Sequence, residues 1–195
     1  MIRIISWILV IAGCGFLLYE GYQLYTSSSM ESKRLDEAKA MISDDSHTSQ
    51  KESSNKREKQ FQEGNTLGIF YIPRLDREIP IIEGTDEDEL AQGVGHFSST
   101  GLPGDNRQIL LSGHRDTVFR QFGELKVGDE LHIKMEYGTF IYVIEDYEIV
   151  DANDRTVIQP SREEEYLTVS TCYPFSFIGS APDRYILYAY PKKVE

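Results

Sequence analysis

Short apolar and β-branched runs recur from Gly68 onward, each closed by turn residues. Runs at 68–72, 78–82, 108–111, 130–135, 139–148, 166–171 and 184–190 have the length and composition of strands. Pro73, Gly84 and Gly113 end the first three, while Tyr137 and Gly138 separate two runs that read as a hairpin. Helical character is confined to 86–91, behind Thr85 as a candidate N-cap, and to a turn at 118–122. Seven or eight strands, few helices and no internal repeat predict a mainly β domain, a closed barrel or sandwich rather than an α/β sheet. Gly93, Gly95, Gly101, Pro103 and Gly104 mark a long irregular connection, of the kind that lines sites more often than it fills cores.

The N-terminus follows a different pattern. No charge occurs from position 4 to position 19, a run slightly short of the roughly 20 residues that cross a bilayer. The flanks complete a span if Glu20 snorkels toward headgroups, with Trp7, Tyr19, Tyr22 and Tyr25 as interfacial aromatics. Residues 1–25 are therefore expected to form an N-terminal transmembrane signal-anchor. A cleaved signal peptide is the rival reading, but no small-x-small cleavage site follows the run. Arg3 favours a cytoplasmic N-terminus, which predicts a single-pass protein of the cell membrane with its domain outside. Residues 26–63 are polar and read as an extracytoplasmic stalk, in which 31–41 forms at most a transient helix. Residues 64–195 are the folded domain.

Charge excludes one class of partner. The chain carries a formal net charge of −12, and residues 64–195 hold 23 acidic against 12 basic side chains, giving −11. Nucleic acid, which demands clustered Lys and Arg, is disfavoured.

There are two cysteines. Cys14 lies in the apolar run, so Cys172 is left unpaired in the domain, where an extracytoplasmic thiol is open to oxidation. Its retention points to use, with a buried inert cysteine as the alternative. Cys172 closes the run Leu167, Thr168, Val169, Ser170, Thr171, and His114 and Arg184 lie at the ends of two other strand-like runs. Such a thiol needs activation, because an unperturbed cysteine near pKa 8.5 is mostly protonated at neutral pH. His114 would serve as acid and base, and Arg184, which keeps its proton, would serve a developing oxyanion. Asp116, Ser170 and Thr171 are candidate supporting hydrogen bonders. His96 is a competing base and His132 reads as structural; spacing alone does not choose among them.

The run Thr168, Val169, Ser170, Thr171, Cys172 resembles the T-L-x-T-C signature of sortases, cysteine transpeptidases of Gram-positive surfaces, with valine in place of leucine. The segments Gly113, His114, Arg115 and Asp183, Arg184, Tyr185 resemble that family's histidine and arginine segments. The extended context, His114, Arg115, Asp116, Thr117, Phe119 and Cys172, Tyr173, Pro174, Phe175, is most similar to class D sortases.

The resemblance implies an eight-stranded sortase-type barrel with His114, Cys172 and Arg184 around one groove. It further implies surface-protein substrates with a C-terminal LPxTG- or LPxTA-like signal. The acyl chain would pass through a Cys172 thioester to an amine of a peptidoglycan precursor or a pilin. A calcium ion is used by some members, which makes 163–165 conceivable ligands, but adjacent carboxylates cannot all face one ion and no required metal is expected. Two other readings remain at this stage: another Cys/His peptidase, and a non-enzymatic membrane-tethered adhesin or scaffold.

Overall fold

The computed structural model describes residues 2–44, 62–176 and 179–192. A helix, α1 (Ile2–Asp44), precedes eight strands: β1 (Thr66–Ile72), β2 (Arg77–Glu83), β3 (Val94–His96), β4 (Gln108–Gly113), β5 (Glu130–Met135), β6 (Gly138–Asp151), β7 (Tyr166–Tyr173) and β8 (Asp183–Pro191). A one-turn helix, α2 (Glu87–Leu90), joins β2 to β3, and 3₁₀ turns lie at Pro73–Leu75 and Phe122–Glu124.

The strands close into a barrel in the order β1-β2-β3-β4-β7-β8-β6-β5. Closure satisfies the hydrogen-bonding edges that an open sheet would expose. The β2–β3 and β4–β7 pairs are parallel and the other six antiparallel. Alternation sends Leu67, Ile109, Leu111, Leu131, Ile133, Val169, Leu187 and Ala189 into one interior cluster with Phe70, Phe119 and Phe122. The expected mainly β, closed barrel with one or two short helices is what forms. The strand missed by the sequence pattern is β3, whose three residues lie in the glycine-rich stretch; only Val94 and His96 carry side chains there, too few to show a period.

The N-terminal expectations change. The helix runs unbroken through the boundary at 25, and its second half lies against the barrel: Ala38 is fully buried, Lys39 pairs with Glu78 at 2.8 Å, and Arg77 with Glu31 at 3.2 Å. Arg34 donates to Gln92 Oε1 at 2.7 Å and to the Gly64 carbonyl at 3.1 Å. Residues 31–41 are thus a docked helix, held by polar pairs that hydrophobic periodicity does not reveal. The expected transmembrane helix over 1–25 is not found: among the described residues no helix is long and apolar enough to cross a membrane. The uncharged run stops after sixteen residues at Glu20, short of a hydrocarbon core. Ile8, Leu9, Ile11, Leu17 and Leu18 within it are uncovered. His47 and the stretch 45–61 lie outside the described residues.

Candidate active site

Three neighbouring strands bring the candidate residues into one row. On β7, Leu167 and Val169 enter the core and Thr171 is buried, so alternation turns Thr168, Ser170 and Cys172 to the outer face. On β8, Tyr185, Leu187 and Ala189 enter the core, leaving Arg184 on that same outer face. The antiparallel register sets Cys172 opposite Arg184, a placement that leaves Cα atoms about 4.5–5.5 Å apart. On the other side β4 runs parallel to β7 with Gly113 level with Thr171. His114, the next residue, therefore stands level with Cys172. All three are half-buried and Cys172 is a free thiol.

The turn that carries His114 is built by packing. A Cβ on Gly113 would lie 2.6 Å from the Phe119 ring and 2.8 Å from Val118, so glycine here lets these two side chains enter the barrel beneath His114. The Phe119 amide donates to the His114 carbonyl at 3.0 Å and closes the turn. Arg120 donates twice to the Asp116 carbonyl, at 3.1 and 2.8 Å.

Asp116 itself is exposed, and its carboxylate makes no hydrogen bond to His114 among the described residues. Thr171 donates to the Gly113 carbonyl at 2.8 Å, whereas Ser170 shares the outer face with Cys172. Arg184 donates through Nη1 to the Asp183 carbonyl at 3.0 Å and more distantly to Ala181. Its remaining N–H groups have no partner among the described residues, so the guanidinium can still receive an anionic or carbonyl oxygen.

Aromatic rings wall the same end of the barrel. Tyr173, Phe175 and Tyr185 contact one another with centroids 5.2–6.2 Å apart, and Tyr147 stacks on Tyr185 at 5.5 Å. Burial raises the Tyr185 hydroxyl above its usual pKa, and neighbouring Tyr147 and Tyr173 add to this, so it stays a neutral phenol. No periodic signal marks Tyr147 or Phe175 for this role; β6 outruns its β5 partner and the β7–β8 connection folds back.

The competing histidines lie elsewhere. His96 is buried on β3, with Nδ1 2.7 Å from the Glu83 carboxylate and Nε2 3.0 Å from the Gly101 carbonyl. His132 on β5 meets Glu130 at 2.8 Å and the edge of Tyr71. Both are committed to the fold.

In the acidic run 163–165 two carboxylates are engaged separately. Glu165 accepts from the Tyr142 hydroxyl at 2.8 Å and the Gly104 amide at 2.9 Å, and Glu164 pairs with Arg162. Among the described residues, carboxylate oxygens converge at Glu63, Asp86 and Glu89, within 4.8 Å of one another beside α2.

Such a row, on the outside of a closed eight-stranded barrel with this strand order, defines a thiol-bearing enzyme fold. A family model described as the sortase domain matches residues 70–192. The chain is 41% identical over 193 residues to Sortase D of Bacillus subtilis strain 168, spanning 96% of this chain and 98% of that one. A Clostridium perfringens Sortase D5 transpeptidase superposes with a TM-score of 0.72 at 28% identity, covering 85% of this chain and 99% of its own. The catalytic domain of B. anthracis SrtD gives 0.59 at 40% identity, over 76% and 97%. The chain belongs to the sortase family of cysteine transpeptidases and is a homologue of its class D members.

Proposed function

We propose that this sortase cleaves an LPxTG- or LPxTA-like C-terminal signal after its threonine and joins the freed acyl group to an amine. The observation that carries this reading is the register that sets Cys172 opposite Arg184 across β7 and β8 and ends the neighbouring β4 ladder one residue before His114. The Cys172 thiolate attacks the threonine carbonyl, and the resulting oxyanion accepts hydrogen bonds from the unengaged Arg184 donors. Collapse breaks the peptide bond, His114 delivers a proton to the departing amine, and a Cys172 thioester remains. An incoming amine, from a peptidoglycan precursor or a pilin, attacks that thioester and gives up a proton to His114, and the Cys172 thiolate leaves as in the starting state; water gives hydrolysis instead. Each step balances without a metal ion.

The substrate signal is an extended peptide of mostly uncharged residues, which suits a half-buried row of strand-end side chains. Our reading puts the enzyme on the extracytoplasmic side of a Gram-positive membrane, and the exposed apolar side chains between Ile4 and Tyr19 of α1 support contact with a lipid surface.

The test uses the full chain in mild detergent with an LPxTG-like peptide and hydroxylamine. A hydroxamate product that disappears in Cys172→Ala supports the reading. Cleavage that survives the substitution overturns it, as does no cleavage of any LPxTG- or LPxTA-like peptide.

A further inference from the structure

The two β-ladders fix Cys172 against Arg184 and Thr171 against Gly113, but His114 is the first residue beyond the β4 ladder. Among the described residues, no strand pairing holds its turn, or residues 174–176 and 179–182 between Cys172 and Arg184. Among the described residues, the Arg115 side chain bridges these two segments. Arg115 leaves the histidine turn and donates through Nη1 to the Pro174 carbonyl at 2.9 Å and through Nη2 to the Gly179 carbonyl at 2.8 Å. Pro174 lies two residues after Cys172, and Gly179 five residues before Arg184. The planar guanidinium reaches both carbonyls from a single fork, whereas an ammonium is a point donor on a flexible stem.

The connection is seated from its other side as well. Phe175 packs on Tyr185 at 5.2 Å and on Tyr173 at 5.6 Å, and a Cβ on Gly123 would come within 3.0 Å of its ring. The aromatic contacts hold the connection to the barrel, and Arg115 ties it to the turn that carries His114.

We propose that Arg115 is the positioning residue of this active site. By gripping both ends of the β7–β8 connection it fixes where His114 stands relative to Cys172, without touching substrate. It acts through geometry rather than charge. Arg115→Lys, which keeps the charge and loses the fork, should therefore behave like Arg115→Ala. The catalytic consequence rests on the reading that His114 and Cys172 act together on a sorting signal; the positioning does not.

The full chain is compared with Arg115→Ala, Arg115→Lys and His114→Ala. Hydrogen exchange should speed up at least tenfold at amides in 174–182 of both Arg115 variants, with the β7 and β8 ladders unchanged. The pH profile of Cys172 alkylation should move toward that of His114→Ala. Peptide turnover should fall at least tenfold in kcat, with KM within threefold. Exchange or an alkylation profile that matches wild type in Arg115→Ala overturns the proposal, as does wild-type behaviour of Arg115→Lys. A wild-type protein that cleaves no peptide defeats the substrate reading alone, because exchange and alkylation still decide the role of Arg115.

Discussion

Thr171 donates its buried hydroxyl to the carbonyl oxygen of Gly113 at 2.8 Å, joining the residue before Cys172 to the residue before His114. The bond lies inside the barrel wall, directly beneath the row on its outer face. Replacing the hydroxyl with a methyl in Thr171→Val keeps the shape and leaves a buried carbonyl without this donor, at a cost of about 1 kcal/mol. The thermal midpoint should fall by about 2–4 °C on the scale of a chain this size. Turnover should fall more than that stability loss explains, because the bond aligns two strands that each carry a catalytic candidate. Kinetics taken well below the midpoint separate the two effects. Unchanged turnover would show that the ladder alone aligns them.

Arg184 stands opposite Cys172, and among the described residues only its Nη1 is engaged, by the Asp183 and Ala181 carbonyls. Removing one oxyanion donor from an enzyme costs about 10²–10³ in kcat. Arg184→Ala should lose activity on that scale, and Arg184→Lys should recover only part of it, since an ammonium cannot reproduce the fork. The rate of Cys172 alkylation by a small neutral reagent should change far less, because no oxyanion forms in that reaction. Equal losses in both assays would move Arg184 from stabilising the transition state to activating the thiol.

The barrel was legible in the sequence because its long strands alternate apolar and polar positions against turn glycines and prolines. Strand β3 was not, being three residues long with a glycine at its centre. His114, Cys172 and Arg184 were legible as polar groups at strand ends, although their adjacency needed the crossover that puts β4 beside β7, a pairing across 58 positions of sequence. Arg115 was hidden because its partners are backbone carbonyls, which leave no mark in residue identity. The docking of α1 was hidden for a related reason. Its contacts are Arg34, Lys39 and Glu31 meeting barrel polar groups, and a polar helix face reads the same whether it meets solvent or a partner.

That docking should depend on pH. Glu78 accepts from both Lys134 and Lys39 at 2.8 Å, and these hydrogen bonds hold its pKa below the usual 4.5 against a smaller opposing effect of burial. A carboxylate whose pKa is depressed by folding stabilises the folded state fully above its unfolded value and loses that contribution as pH falls through the lower folded value. The Lys39–Glu78 contact should therefore be intact at neutral pH and weaken below about pH 4.5. Both partners are partly exposed, so the effect is modest and screened by salt. Protease accessibility of α1 near Lys39 should rise on acidification in wild type, and should already be raised at neutral pH in Glu78→Gln. Accessibility independent of pH in both proteins would assign the docking to Ala38 and Arg34 instead.

Turnover should survive removal of divalent metal. Of the three carboxylates before β7, Glu165 already uses its two oxygens for Tyr142 and Gly104, and Glu164 is paired with Arg162. Drawing them onto a calcium ion, which asks for six to eight oxygens, would break these bonds and unseat the connection leading into the Cys172 strand. The proposed reaction moves protons between Cys172, His114 and the two amines, and stabilises charge with Arg184, so it gives a metal no step to perform. Excess chelator should leave kcat/KM for an LPxTG-like peptide within about twofold, a change under about 0.5 kcal/mol in barrier. A loss of activity restored by calcium would overturn this. Were Glu165→Gln then to abolish the restoration, the ion would lie at the β6–β7 connection; were Glu89→Gln to do so, it would lie at the carboxylates gathered beside α2.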